Sequence, residues 1–182
     1  MNVAIFGGSQ PQPAEPAYED ARLLGRLLAE AGHTVLTGGY IGTMEAASRG
    51  ASEAGGHVIG VTCEEIERWR PGRANRWVAE ERRVTTLHER LLALIDGCDA
   101  AIALPGGPGT LLEISLMWNR MLINAIAARP LILTGESWRQ VFMTLYEAHS
   151  RYIPAAQRKL LIFAANASAA VQRLTPSGEH PA

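Results

Sequence analysis

Residues 101–114 read Ala-Ile-Ala-Leu-Pro-Gly-Gly-Pro-Gly-Thr-Leu-Leu-Glu-Ile. An apolar run, Ala100–Leu104, stops at Pro105. A loop with three glycines follows (Gly106, Gly107, Gly109), and Thr110 opens a long apolar segment with one carboxylate, Glu113, in its first turn. A strand, a tight glycine loop and a helix start, in that order, make an anion site. The free N–H groups of the helix N-terminus point at the ligand, the helix dipole favours negative charge, and glycines let the backbone approach a phosphate closely. The stretch therefore predicts a small phosphorylated ligand, with Glu113 beside it.

On both sides of this stretch, apolar runs alternate with helical patterns. Asn2–Gly7, Thr34–Thr37, His57–Thr62, Ala100–Leu104, Pro130–Thr134 and Leu160–Phe163 read as strands. Helices are predicted over Tyr18–Ala31, Thr43–Ala54, Thr86–Asp96, Thr110–Ala127, Trp138–His149 and Ser168–Leu174, with residues 63–84 irregular and charged. Alternation of this kind predicts an α/β fold: a doubly wound, mostly parallel sheet with helices on both faces. One domain is expected over residues 1–174, followed by a flexible tail at 175–182. In such a sheet all carboxyl ends of parallel strands share one rim, where ligands bind. Three strand ends carry glycine loops, Gly7-Gly8-Ser9, Gly38-Gly39 and Pro105–Gly109, so Gly8, Ser9, Gly38 and Gly39 join the candidate nucleotide-binding residues.

The composition narrows the chemistry. With 182 residues, 47% hydrophobic and 19% charged, the chain is globular in character, and a net charge of −1 gives no nucleic-acid footprint. No apolar stretch is long enough for a membrane span, and no signal peptide precedes the first strand, so a cytoplasmic location is expected. Lys and Arg total 17, and Lys159 is the only lysine. A Walker-type loop is absent, and a Schiff-base lysine for pyridoxal phosphate would have to be Lys159, far from the glycine motifs. Cys63 and Cys98 lack metal-type spacing and read as reduced structural thiols. No cofactor and no metal are expected.

Several residues have two readings. Thr110-Leu-Leu-Glu113 has the pattern of a capping box, which explains Glu113 without chemistry; Thr86-Leu-His-Glu89 has the same pattern. Glu113, Arg120 and Asn124 fall on one helical face, suited to a pocket or to a wet seam between subunits. Arg90 sits beside the apolar stripe of its helix. It can grip a carboxylate or phosphate, but locally it reads as a rim arginine whose stem covers core. Residues 68–83 hold Arg68, Arg70, Arg73, Arg76, Arg82, Arg83, Trp69 and Trp77. They form either a solvated loop or a basic lid with Trp77 as a stacking face. Ser9 is either a ribose or phosphate donor or a plain turn serine.

Pro105-Gly-Gly-x-Gly-Thr-x-x-Glu113, with Thr86-Leu-His-Glu-Arg90 upstream, resembles the signature of the LOG (lonely guy) family, Rossmann-like proteins long mislabelled as lysine decarboxylases. The resemblance extends through Gly38–Ala46 and Gly55–Val61 and covers residues 2–135 in order. It implies phosphoribohydrolase activity: hydrolysis of the N-glycosidic bond of a purine, cytokinin-type nucleoside 5′-monophosphate to free base and ribose 5-phosphate. Carried onto this sequence, Glu113 and Arg90 are the catalytic pair, and Gly106, Gly107, Gly109 and Thr110 hold the phosphate. It also implies a homodimer with sites near the interface. This chain has Leu91 where the family usually has lysine, Tyr40 where it usually has glycine, and Glu45 where it usually has glycine. Tyr40 and Glu45 look closer to a sister branch that includes molybdenum-cofactor carrier proteins. That branch implies an alternative: a non-catalytic carrier of a nucleotide or molybdopterin-like ligand.

Overall fold

Consecutive residues of a strand point to opposite faces of a sheet, and in β1 (Asn2–Phe6) Val3, Ala4, Ile5 and Phe6 are all buried. Both faces must therefore be covered. The computed structural model describes residues 1–174; the tail expected at 175–182 lies outside the described residues. The remaining strands are β2 (Thr34–Thr37), β3 (Val58–Cys63), β4 (Glu80–Val84), β5 (Ala100–Ala103), β6 (Leu131–Thr134) and β7 (Leu161–Ala164). The helices are α1 (Pro16–Glu30), α2 (Thr43–Glu53), α3 (Glu64–Trp69), α4 (Leu87–Asp96), α5 (Pro108–Leu122), α6 (Glu136–Ala148), α7 (Ala155–Arg158) and α8 (Ala167–Gln172).

The strands form one sheet in the order β4-β3-β2-β1-β5-β6-β7, and every pairing is parallel. The two faces are read directly from strand alternation. Val3, Ile5, Val35 and Ile102 pack under α1, α2 and α8 through Tyr18, Leu24, Leu28, Ala47 and Ala170. Ala4, Phe6, Leu36 and Ala103 pack under α4, α5 and α6 through Leu94, Ile114, Met117, Trp118 and Phe142. Helices α1 and α2 approach to backbone contact, because Gly25 faces the Ala47 carbonyl and Gly50 faces that of Arg22.

The chain steps outward from β1 through β2 and β3 to β4, then crosses the sheet in α4 and places β5 on the other side of β1. Strand order reverses there, which makes the crevice above β1 and β5 the expected ligand position. Gly7-Gly8-Ser9 and the Pro105–Gly109 loop leave the sheet at that point.

Three local expectations are corrected. Residues 63–84 are not irregular: they hold α3 and the edge strand β4. Glu80-Glu81-Arg82-Arg83 shows no apolar alternation because this strand pairs on one side only, with β3, and its side chains are largely exposed. Such charges also block edge-to-edge pairing with another sheet. Helix α5 runs over Pro108–Leu122 rather than Thr110–Ala127. Proline at the first helical position is pre-set for helix geometry, and Asn124 ends the helix in the left-handed region at φ 56°. Helix α7, four residues long, has no counterpart among the helices that the sequence pattern predicts. No helix among the described residues is long and apolar enough to cross a membrane.

Candidate functional site

The loop after β5 is fixed from below before it meets any ligand. Trp138 donates its indole N–H to the Leu104 carbonyl at 2.9 Å, and Thr134 its hydroxyl to that of Ala103 at 3.1 Å. Gly8 N–H donates to the Pro105 carbonyl at 3.2 Å, which ties this loop to the one after β1. The approach is so close that a Cβ on Gly106 would overlap the Thr110 hydroxyl and lie 2.9 Å from Gly8 N. The Gly8 carbonyl in turn accepts from Thr43 N at 3.0 Å and Thr43 Oγ1 at 2.8 Å, so the start of α2 joins the same cluster.

Helix α5 opens toward this cluster. Its N-cap is Gly107, Pro108 carries no N–H, and the first helical bond is Leu111 N–H to the Gly107 carbonyl at 3.1 Å. The amides of Gly109 and Thr110 therefore have no helical acceptor and face the rim. A Cβ on Gly107 or Gly109 would meet only open space, whereas one on Gly106 would not fit. The surface at Gly107 and Gly109 is thus open at the start of the helix.

Glu113 is not a capping residue. With Gly107 as N-cap, the capping-box partner would be position 110, and no side chain caps this helix. Glu113 instead lies inside α5, 8% exposed, with no hydrogen-bond donor on its carboxylate among the described residues. Its nearest charge is Arg90 Nη1, 3.8 Å from Oε1, a charge contact longer than a hydrogen bond. Burial pushes its pKa up to about 7, against the opposing pull of Arg90.

Arg90 is also not at the rim; it is 5% exposed. Its Nε donates to the Val61 carbonyl at 2.8 Å and its Nη2 to the Gly38 carbonyl at 3.1 Å, and the guanidinium lies 5.7 Å from the Tyr40 ring centroid. A Cβ on Gly38 would fall on this guanidinium, which explains the glycine there. Tyr40 is locked by its hydroxyl, which accepts from Cys63 N at 2.8 Å and donates to the Cys63 carbonyl at 3.1 Å. Arg90 thus spends two of its donor positions on backbone carbonyls and turns the third toward Glu113. The capping box at Thr86–Glu89 that starts its helix is present, with Glu89 N donating to Thr86 Oγ1 at 3.1 Å.

The Glu113, Arg120 and Asn124 face is broken up. Arg120 Nη1 pairs with Asp96 at 2.8 Å, and Asn124 lies beyond the helix end. The basic segment is pinned to the turn after β2. Asn75 donates its amide to the carbonyls of Gly39 (3.0 Å) and Tyr40 (2.9 Å), and its backbone N–H to Gly39 at 2.8 Å. Arg70 Nη1 donates to Ser9 Oγ at 3.3 Å. The Trp77 ring carries Arg76 at 4.5 Å and Arg49 at 5.7 Å. Of these contacts, Arg70 had a sequence signal, the arginine density of its segment. Asn75 and Thr43 had none, since their partners lie more than 30 positions away. Among the described residues, no group of three His, Cys, Asp or Glu is placed to hold a metal ion.

The profile of the SLOG cluster4 family matches residues 1–160. Over 181 residues the chain is 32% identical to a probable cytokinin riboside 5′-monophosphate phosphoribohydrolase of Oryza sativa subsp. japonica, covering 94% of this chain and 76% of that protein. A cytokinin riboside 5′-monophosphate phosphoribohydrolase of Arabidopsis thaliana is 31% identical at the same coverage. Among solved structures, the molybdenum cofactor binding protein of Rippkaea orientalis superimposes with a TM-score of 0.73 at 24% identity, over 95% of this chain and 94% of that one. A Moco carrier protein of Chlamydomonas reinhardtii gives 0.70 at 25% identity, with the same coverage. The chain belongs to the SLOG cluster4 family, within the LOG group, and its fold is that of the molybdenum-cofactor carriers.

Proposed function

We propose that the protein is a phosphoribohydrolase that cleaves the N-glycosidic bond of a purine nucleoside 5′-monophosphate. The observation that carries this reading is Glu113: a buried carboxylate with no hydrogen bond among the described residues, its pKa pushed up to about 7, beside Arg90 and in the second turn of the helix whose N-terminus opens on the rim. The phosphate sits on the amides of Gly109 and Thr110, with Gly106 and Gly107 giving access and Gly8, Ser9, Gly38 and Gly39 forming the rim. As the C1′–N bond breaks, the pair of electrons leaves with the base, which takes up a proton, and positive charge builds on the ribose. The ionised Glu113 stabilises that charge and accepts a proton from the attacking water. Arg90 holds Glu113 in place and favours its ionised form. Relatives about 30% identical carry the name of this activity. The reaction needs neither metal nor organic cofactor, and the protein works in the cytoplasm. A homodimer fits α5, whose Leu111, Leu112 and Ile123 are exposed.

A second reading has its own support. The folds of named molybdenum-cofactor carriers match this one closely, and Tyr40 fills the turn above Arg90. In that case the same rim holds a molybdopterin-like phosphate without turnover.

The test is incubation of wild type and Glu113→Gln with AMP and N6-modified AMP, followed by chromatography for free base. Wild type should release base, and Glu113→Gln should be slower on the order of 100- to 10,000-fold. Equal release by the variant removes Glu113 from the reaction. Absence of release by wild type, while molybdopterin raises its melting temperature, establishes the carrier reading instead.

A further inference from the structure

A dianionic phosphate on the α5 amides would meet backbone dipoles, and its charge calls for a cation beside it. Of the six arginines in residues 68–83, Arg68, Arg73 and Arg76 are exposed and none of the three has a hydrogen bond to the rim loops among the described residues. Lys159 is the only lysine and precedes β7 by two residues. The donors of Arg90 are committed to the carbonyls of Val61 and Gly38, with its remaining nitrogen toward Glu113. Arg83 is paired with Glu67 at 2.6 Å, and Arg82 with Glu80 at 2.7 Å. Arg76 lies over Trp77.

Arg70 differs from all of these. It ends α3, where its N–H donates to the Ile66 carbonyl at 2.7 Å, and its backbone is extended, so the side chain leaves the helix toward the rim. It is half-buried, and its guanidinium lies 5.7 Å from the Trp69 ring centroid. It has no carboxylate within ion-pair distance among the described residues. Among the described residues the one hydrogen-bond partner of its side chain is Ser9 Oγ, at 3.3 Å, which leaves the other terminal nitrogen of its fork available. Ser9 directly follows Gly8, and Gly8 is bonded to Pro105 and packed on Gly106. The cation is therefore delivered to the loop next to the open amides of Gly109 and Thr110.

We infer that Arg70, oriented by Ser9, is the cation that pairs with the ligand's 5′-phosphate and makes the site select a nucleoside monophosphate over the nucleoside. This rests on the phosphate placement proposed above. Arginine suits the task because its planar fork can donate two parallel bonds to phosphate oxygens, and its charge persists at any working pH. Lysine at the same position keeps the charge and loses the fork.

The experiment is equilibrium binding of AMP, adenosine and ribose 5-phosphate to wild type, Arg70→Ala and Arg70→Lys by calorimetry, with base release followed in parallel. Arg70→Ala should weaken AMP and ribose 5-phosphate by roughly 10- to 100-fold, as expected for a charge-assisted pair, and leave adenosine unchanged. Arg70→Lys should fall between the two. AMP affinity in wild type should drop with added salt and that of Arg70→Ala should drop less. Unchanged melting temperatures separate these losses from misfolding. Equal AMP affinity in wild type and Arg70→Ala overturns the role of Arg70, and the hydrolase reading stands if base is still released. Arg70-dependent phosphate binding without base release does the reverse. If wild type binds neither AMP nor ribose 5-phosphate, both fall.

Discussion

Glu113 couples chemistry to stability, and the sign of the coupling can be worked out. Its carboxyl titrates near 7 in the folded protein and near 4.5 in the unfolded chain, so between these values the folded state holds the extra proton. Stability is then full below about pH 4.5 and is lost as pH rises through 7. Wild type should lose up to about 3 kcal/mol between pH 4.5 and pH 8 relative to Glu113→Gln. Urea titrations of the two proteins across this range measure the difference, and parallel profiles would show that burial does not perturb this carboxyl. For the same reason, kcat/KM for base release should show an acid limb near pH 7 in wild type, since the ionised form does the work. The identity of this residue as a candidate was legible in the sequence, but its environment was not. Thr110-Leu-Leu-Glu113 has capping-box spacing, yet Pro108 at the first helical position moves the cap back to Gly107 and turns Glu113 into the interior. The environment of Arg90 is likewise absent from the local pattern. Its burial depends on the carbonyls of Val61 and Gly38, 29 and 52 positions away, which no local pattern reports.

At the level of elements, the buried strands and amphipathic helices were readable because both faces of the sheet are covered and the apolar runs are continuous. Strand β4 was not, because a charged edge strand carries the pattern of a loop; only its ladder with β3 defines it. Helix α4 shows a local signal that survives in three dimensions. Thr86 caps Glu89 N, and Glu89 Oε2 returns to the N–H groups of Thr85 and Thr86 at 3.0 and 2.9 Å. This box fixes the first turn of the helix that delivers Arg90. Thr86→Ala removes the hydroxyl acceptor and should cost about 1 kcal/mol of stability in urea unfolding. Thr86→Ser keeps the acceptor and should retain most of it. Equal losses in both variants would assign the effect to the threonine methyl group rather than the cap.

For the whole molecule, the doubly wound topology explains why the site is assembled from four separate stretches of chain. The reversal of strand order between β1 and β5 leaves a crevice that Gly8, Gly38, Arg90 and the start of α5 reach from different strands. Among the described residues, the same arrangement leaves one helix surface uncovered. Leu112 and Ile123 of the α5 segment are 44% and 67% exposed, eleven positions apart and hence on one face, with Ser115 and Asn119 between them. An apolar stripe interrupted only by small or neutral polar side chains suits a second copy of the same helix across a two-fold axis, where each stripe meets its own image. On this argument we propose that the chain pairs with a second copy through α5; the stripe begins one turn from the amides of Gly109 and Thr110, so dimerisation would also wall the site. The variant Leu112→Glu with Ile123→Glu places like charges opposite each other at the axis, at little cost to an isolated chain because both positions face solvent there. Sedimentation equilibrium should show wild type at twice the chain mass and the double variant at the chain mass, with the variant's melting temperature falling as its concentration is lowered less than that of wild type. A wild type that sediments as a monomer, or a variant that remains a dimer, would show that α5 is not the interface.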